Sequence, residues 1–78
     1  MIKVRVMLPP GFKRDMLDER NWIELPDGAT LSAALKAVRV PKLLAKTMFV
    51  CVNGALLKTN TMLNDGDSVS FFPIAHGG

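Results

Sequence analysis

Residues 22–41 read WIELPDGATLSAALKAVRVP, and they change from a strand pattern to a helix pattern within a few positions. Residues 22–25 alternate and stop at Pro26-Asp27-Gly28, which predicts a strand followed by a turn. Thr30 is a good helix N-cap, and Pro41 ends the helix near Val40. The helix has one apolar face because its apolar residues recur at helical spacing: Leu31, Ala34, Leu35 and Val38.

The N-terminal residues predict a strand of their own. Apolar side chains fall on one face from Ile2 to Leu8, while Lys3 and Arg5 fall on the other. Pro9-Pro10-Gly11 ends this strand. Residues 12–21 are rich in charge and predict a long loop or a short helix.

The second half of the chain predicts a hairpin and a final strand. Residues 48–52 form a compact apolar run, and Asn53-Gly54 follows it. This pair indicates a two-residue hairpin turn, because both central positions of a type I′ turn need positive φ. The return strand is short and lies near residues 56–57. Residues 64–67 predict another turn, and residues 68–72 predict the last strand, which the following proline ends.

The order strand, strand, helix, strand, short strand, strand predicts a single α+β domain with a mixed sheet packed on one helix. The helix returns the chain to the sheet without a hairpin, so some strand pairs must be parallel. This is the β-grasp, or ubiquitin-like, pattern. We expect residues 1–73 to form the domain and residues 74–78 to form a flexible tail. The predicted core consists of Ile2, Val4, Val6, Ile23, Leu25, Leu31, Leu35, Val38, Val50, Val52, Val69 and Phe71.

Composition excludes several classes of protein. The 78 residues suffice for one domain, and no apolar run approaches the roughly 18 residues that a membrane-spanning helix needs. One histidine and one cysteine cannot supply a metal site, and a lone Cys51 cannot form an internal disulfide. We therefore expect a cytoplasmic protein that binds neither membranes nor nucleic acid.

The net charge of +3 includes four basic residues at helix-like spacing: Lys36, Arg39, Lys42 and Lys46. A phosphate-binding stripe is one interpretation of this pattern, and a solvated helix face followed by a loop is the other. We favour the second, because Pro41 interrupts the pattern and no aromatic residues interleave to stack bases.

The sequence ends in His76-Gly77-Gly78, directly after a proline-terminated strand. In the context of a β-grasp pattern, this ending resembles the MoaD and ThiS sulfur carriers. The resemblance rests on residues 62–78, MLNDGDSVSFFPIAHGG, on Val50–Gly54 and on Asp27–Leu31 at the helix entry. Phe71-Phe72-Pro73 is closer to MoaD, the small subunit of molybdopterin synthase, than to ThiS, which serves thiamine synthesis.

The resemblance implies a carrier protein rather than an enzyme. An E1-like partner, using ATP and magnesium, adenylates the Gly78 carboxylate, and sulfur then displaces AMP to leave a thiocarboxylate. The thiocarboxylate donates its sulfur to an acceptor on another protein, most consistently the large subunit of molybdopterin synthase. The chain itself is expected to bind no cofactor. Gly77 and Gly78 let bare backbone enter a narrow channel, because no Cβ obstructs close approach.

Three alternatives fit the same ending. One is a thiamine-type sulfur carrier, and another is a ubiquitin-like modifier that is conjugated to proteins through Gly78. The third is an interaction module in which the two glycines have no chemical role.

Strand alternation also predicts a docking surface. If Val69 and Phe71 face the helix, Phe72 faces away from it. An apolar patch of Phe49, Cys51, Phe72 and Met7 should then lie on the open sheet face, rimmed by Lys3 and Arg5. Scattered exposed side chains, or a cover formed by residues 9–21, are the alternatives. We expect partner enzymes to contact the patch and the tail through Met7, Phe49, Phe72, Pro73, Ile74, Ala75 and His76.

Four side chains have both a chemical and a structural interpretation. His76 is either a proton-transfer group beside the thiocarboxylate or a solvated tail residue that contacts a partner, and we favour the latter. Cys51 is either a sulfur relay or an ordinary sheet residue, and we favour the sheet residue because no cation nearby in sequence activates it. Asp65 and Asp67 are interpreted as turn residues rather than as a catalytic pair.

Overall fold

The chain folds as a five-stranded mixed sheet with two helices. The computed structural model describes residues 1–73, so the predicted tail, residues 74–78, lies outside the described residues. The elements are β1 Ile2–Met7, β2 Trp22–Leu25, α1 Leu31–Ala37, α2 Lys42–Ala45, β3 Met48–Val52, β4 Ala55–Leu56 and β5 Ser68–Pro73. The strand order is β2-β1-β5-β3-β4, with β1 and β5 parallel and the other neighbours antiparallel. This topology confirms the predicted β-grasp fold.

The core lies on one face of the sheet, where the alternation of the strands predicts it. Val6 lies beside Val69 in the parallel pair, and Val50 lies opposite Phe71 in the antiparallel pair. Burying one such side chain stabilises a fold by about 1.5–3 kcal/mol. The largest fully buried side chains are Leu31, Val4, Val6 and Val69.

The margin of the core differs from the prediction. Ile2, Ile23 and Leu35 were expected inside, but each is only partly buried and packs against the core from its edge. Ile2 begins β1 and Ile23 lies on the edge strand β2, so each lacks neighbours on one side. Leu63 is buried although it belongs to no regular element, and its N–H donates to the Ala29 carbonyl at 2.8 Å.

The helix α1 is shorter than predicted and ends in a Schellman motif. Its N-cap is as predicted, since the Thr30 hydroxyl accepts the Ala33 N–H at 3.2 Å. At the other end Arg39 takes φ +61°, its N–H donates to the Lys36 carbonyl at 3.1 Å, and the Val40 N–H donates to the Leu35 carbonyl at 3.0 Å. Glycine normally holds this left-handed position, so the sequence gives no stop signal before Pro41.

Beyond α1, the chain forms one unpredicted helix and the predicted hairpin. Pro41 does not lead into a loop but is the N-cap of the short helix α2. Asn53 and Gly54 have φ of 52° and 83°, which confirms the turn with two positive φ angles. The return strand β4 begins at Ala55, one residue earlier than predicted.

Residues 9–21 form a loop that packs beside the sheet without covering it. Phe12 and Leu17 are partly buried against the core, and the Arg14 guanidinium donates to the Leu8 carbonyl at 3.0 Å. The Asp18 carboxylate accepts the N–H groups of Trp22 and Arg20, and these hydrogen bonds hold the pKa of Asp18 below its usual range. The loop is therefore fixed by local bonds at the start of β2.

Candidate docking surface

The sheet face opposite the core presents the predicted apolar patch. Phe49 on β3 and Phe72 on β5 are directly opposite each other in the register, with 44% and 51% of their surfaces exposed. Met7 at the end of β1 is 41% exposed. Because all three stay exposed, residues 9–21 do not cover this face. We name Met7, Phe49 and Phe72 the outer patch.

Cys51 does not belong to the exposed surface, which corrects one prediction. Alternation places it on the outer face, but only 8% of the residue is accessible. It lies on β3 between Ser70 on β5 and Leu56 on β4. A small side chain in an inner strand is covered by the larger side chains of its own strand and of the two neighbouring strands. This burial counts against a sulfur relay at Cys51, because a relay needs an accessible thiol.

Leu56 adds to the outer face, and the prediction omitted it. It lies opposite Cys51 in the register and is 64% exposed. A signal for it was available, since the two-residue Asn53-Gly54 turn fixes the register and therefore the face of each residue in β4.

Charged groups border the patch on the side away from Phe72. Lys3 and Arg5 are exposed on β1, and Arg5 lies beside Ser68 of β5. The Lys3 backbone N–H donates to the Asp65 carboxylate at 2.7 Å. The N-terminal amine donates a hydrogen bond to the Asp27 carboxylate at 2.9 Å, and this bond, with the ionic attraction of Asp27, raises the pKa of the amine. The predicted rim of Lys3 and Arg5 is therefore present.

The outer patch lies at the end of the sheet where the chain leaves the last strand. Met48 at the start of β3 is opposite Pro73 at the end of β5. Phe72 is therefore one residue from the end of the described range. The other predicted partner-binding residues, Ile74, Ala75 and His76, and the predicted reactive residues, Gly77 and Gly78, lie outside the described residues.

Residues 1–73 bring together no group of three or more His, Cys, Asp or Glu side chains that could hold a metal ion. The one free cysteine is buried. In the same range no helix combines the length and the apolar character needed to cross a membrane.

The sequence matches the model of the ThiS family over residues 10–78. The chain belongs to the ThiS family. This family comprises small ubiquitin-like sulfur carriers of the MoaD and ThiS type, which work with E1-like adenylating enzymes and sulfur-accepting partners and are not enzymes themselves. The resemblance that the sequence showed is thus confirmed at the level of the family. Among curated proteins, none matches this sequence.

Solved structures show the same fold at low sequence identity. The thiamine biosynthesis protein ThiS from Geobacter metallireducens has a TM-score of 0.63 at 20% identity, over 99% of this chain and 100% of that one. A putative molybdopterin converting factor, subunit 1, from Pyrococcus furiosus has a TM-score of 0.63 at 23% identity, over 95% of this chain and 97% of that one. SAMP1 from Haloferax volcanii has a TM-score of 0.63 at 19% identity, over 99% of this chain and 98% of that one. At these identities the similarity supports the fold alone.

Proposed function

We propose that this ThiS-family member carries sulfur as a thiocarboxylate on Gly78 and donates it in cofactor biosynthesis, with molybdopterin as the first candidate. The observation that carries the proposal is the family match, which extends through residue 78, where the sequence reads Gly77-Gly78. The outer patch supports it, because Phe72 places an exposed apolar contact beside the start of the tail. A cytoplasmic location is part of the proposal, since the activation consumes ATP.

The chemistry proceeds in two substitutions, the first at the α-phosphorus of ATP and the second at the Gly78 carboxyl carbon. A Gly78 carboxylate oxygen attacks the α-phosphorus of ATP on the E1-like enzyme, pyrophosphate leaves, and magnesium offsets the phosphate charge. A sulfide equivalent held by the partner system then attacks the acyl carbon, and AMP leaves with the bonding electrons, which gives the thiocarboxylate. The thiocarboxylate sulfur bonds to the acceptor and displaces its leaving group. Water then cleaves the bond between the acyl carbon and sulfur, which restores the carboxylate and leaves the sulfur on the acceptor.

Tail and patch have separate roles in this proposal. Gly77 and Gly78 have no side chain, so the backbone reaches a buried active site through a narrow channel. Met7, Phe49 and Phe72, continued by Pro73, Ile74, Ala75 and His76, hold the domain against the adenylating enzyme and then against the acceptor. Exposed apolar side chains surrounded by a polar rim are the usual composition of such contact surfaces.

Deletion of Gly78 tests the carrier role. The shortened chain should keep its thermal unfolding transition and lose all adenylation, measured as pyrophosphate released by the E1-like enzyme. A chain with one alanine added after Gly78 is the matched control for tail length and should also be inactive. Normal sulfur transfer by the Gly78-deleted chain would refute the proposal.

The receiving pathway has two candidates. Phe71-Phe72-Pro73 favours a MoaD-like carrier for molybdopterin synthase, and a thiamine-type carrier is the second candidate because the matched family includes both types. Calorimetry separates them: the carrier should bind the large subunit of molybdopterin synthase and not the sulfur acceptor of thiamine synthesis. The reverse preference would assign the chain to thiamine synthesis.

A further inference from the structure

A second surface lies at the edge of the sheet formed by β3 and β4, next to the outer patch, with which it shares Phe49. A groove of about 450 Å³ runs between α1, α2 and the strands β3 and β4. It remains open because Leu35 on α1 is only partly buried, and Leu56 in the short strand β4 and the following Leu57 are exposed. The apolar part of the groove consists of Leu35, Val40, Ala45, Met48, Phe49, Val50, Leu56 and Leu57.

The charged residues of this groove are all basic. Lys36 from α1, Lys42 from α2 and Lys46 at the C-cap of α2 line it, and no carboxylate does. The sequence shows the same segregation, because residues 28–64 contain five of the ten Lys and Arg residues and none of the seven Asp and Glu residues. Within residues 1–73, none of these three lysines forms an ion pair. We name this surface the lysine-rimmed groove.

We propose that the lysine-rimmed groove binds a segment of a partner protein in which apolar side chains are flanked by carboxylates. The apolar side chains cover Leu35, Met48 and Leu57, which removes their surface from water. The carboxylates face the three lysines, and this charge complementarity selects acidic segments and speeds their association.

The position of the lysines favours a peptide over other anions. They come from two different helices and surround an apolar surface, so an occupant needs several carboxylates spaced along an apolar body. A fatty acid has one charged end, and a nucleic acid offers phosphates without an apolar body. A segment with Asp or Glu on both sides of Leu or Ile satisfies both requirements.

Binding in the lysine-rimmed groove is a function additional to sulfur transfer and does not require it. The outer patch and the lysine-rimmed groove share Phe49, whereas Met7 and Phe72 do not line the groove. A protein bound in the groove leaves Met7 and Phe72 accessible. The arrangement permits a carrier to stay attached to one partner while its tail visits another.

The test uses the full chain and the peptide fluorescein-Glu-Asp-Leu-Ile-Asp-Leu-Ile-Glu-Asp-amide, labelled at its N-terminus, with binding followed by anisotropy. We expect saturable binding and amide shifts, in ¹⁵N spectra, confined to Lys36, Lys42, Lys46, Met48 and Leu57. The double variant Lys42→Glu/Lys46→Glu should weaken binding about tenfold, since two exposed attractive pairs become repulsive. The matched variant Lys13→Glu/Lys58→Glu makes the same change in net charge outside the groove and should alter binding less than about twofold.

An apolar variant separates the groove from nonspecific attraction. Leu57→Asn should weaken the peptide severalfold, while Leu43→Asn, at a more exposed leucine that does not line the groove, should not. Thermal unfolding of every variant, compared with the parent chain, shows whether the variant is folded. Three results would overturn the proposal: equal weakening by both double variants, equal binding of the peptide with lysine in place of each acidic residue, or shifts that map to Met7 and Phe72 and not to the lysines of the groove. Preferential binding of decanoate or of phosphatidylglycerol vesicles over the peptide would also overturn it.

Discussion

The two ends of the sheet use their side chains in opposite ways. At one end, Asp67 links the hairpin to the following turn: its carboxylate accepts the Asn53 side-chain amide at 2.8 Å and the Asn64 N–H at 2.7 Å. At the other end, Phe49 and Phe72 lie opposite each other with about half of each residue exposed. At the first end the polar groups form hydrogen bonds within the chain, and at the second end apolar side chains stay exposed.

We therefore expect the residues that stabilise the fold to differ from the residues that bind partner proteins. The Asp67 end includes further bonds across the sheet, with the Gly66 N–H donating to the Lys3 carbonyl at 2.7 Å and the Arg5 N–H to the Asp67 carbonyl at 2.8 Å. Substitutions there should change the free energy of unfolding and leave the affinity for partners unchanged. Substitutions in the outer patch should do the opposite.

The largest effect is expected for Asp67→Ala. The variant leaves the Asn53 amide and the Asn64 N–H without their acceptor, so the free energy of unfolding should fall by about 2 to 3 kcal/mol. Urea denaturation measures it. Asp67→Asn is the matched control, because it keeps an acceptor oxygen and should lose less. If Asp67→Ala were as stable as the parent chain, the hydrogen bonds at this end would not be what fixes the hairpin.

Phe72→Ala tests the opposite end. Partner affinity should weaken by about 2 kcal/mol, roughly 30-fold, if Phe72 is a central contact, while the unfolding transition changes little because half of the side chain is already exposed. Calorimetry with the E1-like enzyme and with the synthase large subunit measures both affinities. Leu43→Ala, which removes an exposed apolar side chain elsewhere, is the control and should bind normally. Unchanged affinity of Phe72→Ala for both partners would remove Phe72 from the docking surface.

Arg39→Gly should stabilise the chain by up to about 1 kcal/mol. Arg39 holds the left-handed position of the α1 C-terminus, where a Cβ costs about 1–2 kcal/mol, partly offset by the greater chain entropy of glycine. Arg39→Ala keeps the Cβ and removes the charge, so it should not stabilise. Thermal unfolding compares the three chains, and equal stability of the glycine and alanine variants would assign any gain to the lost charge.

The smallest expected effect is on the stability of the fold at acidic pH. Hydrogen bonds from Trp22 and Arg20 hold the pKa of Asp18 below its usual 3.8, so the folded state binds this proton less tightly than the unfolded state. The resulting stability is present above pH 3.8 and is lost as the pH falls through the pKa in the folded chain. Urea denaturation across this range should show a weaker pH dependence for Asp18→Asn. An identical pH dependence would show that Asp18 does not contribute.

The alternation of apolar residues predicted the strands, which depend on local sequence pattern. The alternation of residues 2–8 and 48–52, together with Asn53-Gly54, located three strands. Alternation also predicted Phe49 and Phe72 on the outer face, but it did not predict that they lie opposite each other in the register. The same alternation placed Cys51 outward correctly but could not predict its burial, which depends on the side chains of neighbouring strands.

Other features had no signal of their own in the sequence. Arginine is an uncommon residue in the left-handed conformation, so the end of α1 at Arg39 was missed. Pro41 was interpreted as a stop because it cannot continue a helix, although it also begins the next one as N-cap. The groove between the helices and β3 depends on both features, and only the folded chain shows it.

The most direct test of the sulfur-carrier proposal is the intact mass of the Cys51→Ser chain after incubation with the E1-like enzyme, ATP, magnesium and a sulfur donor. The substitution removes the one thiol, so any sulfur gained must be at another site. The proposal predicts a mass gain equal to the replacement of one oxygen by sulfur, located at Gly78 by fragmentation. An unchanged mass, under conditions in which the same enzyme activates a known carrier, would contradict it.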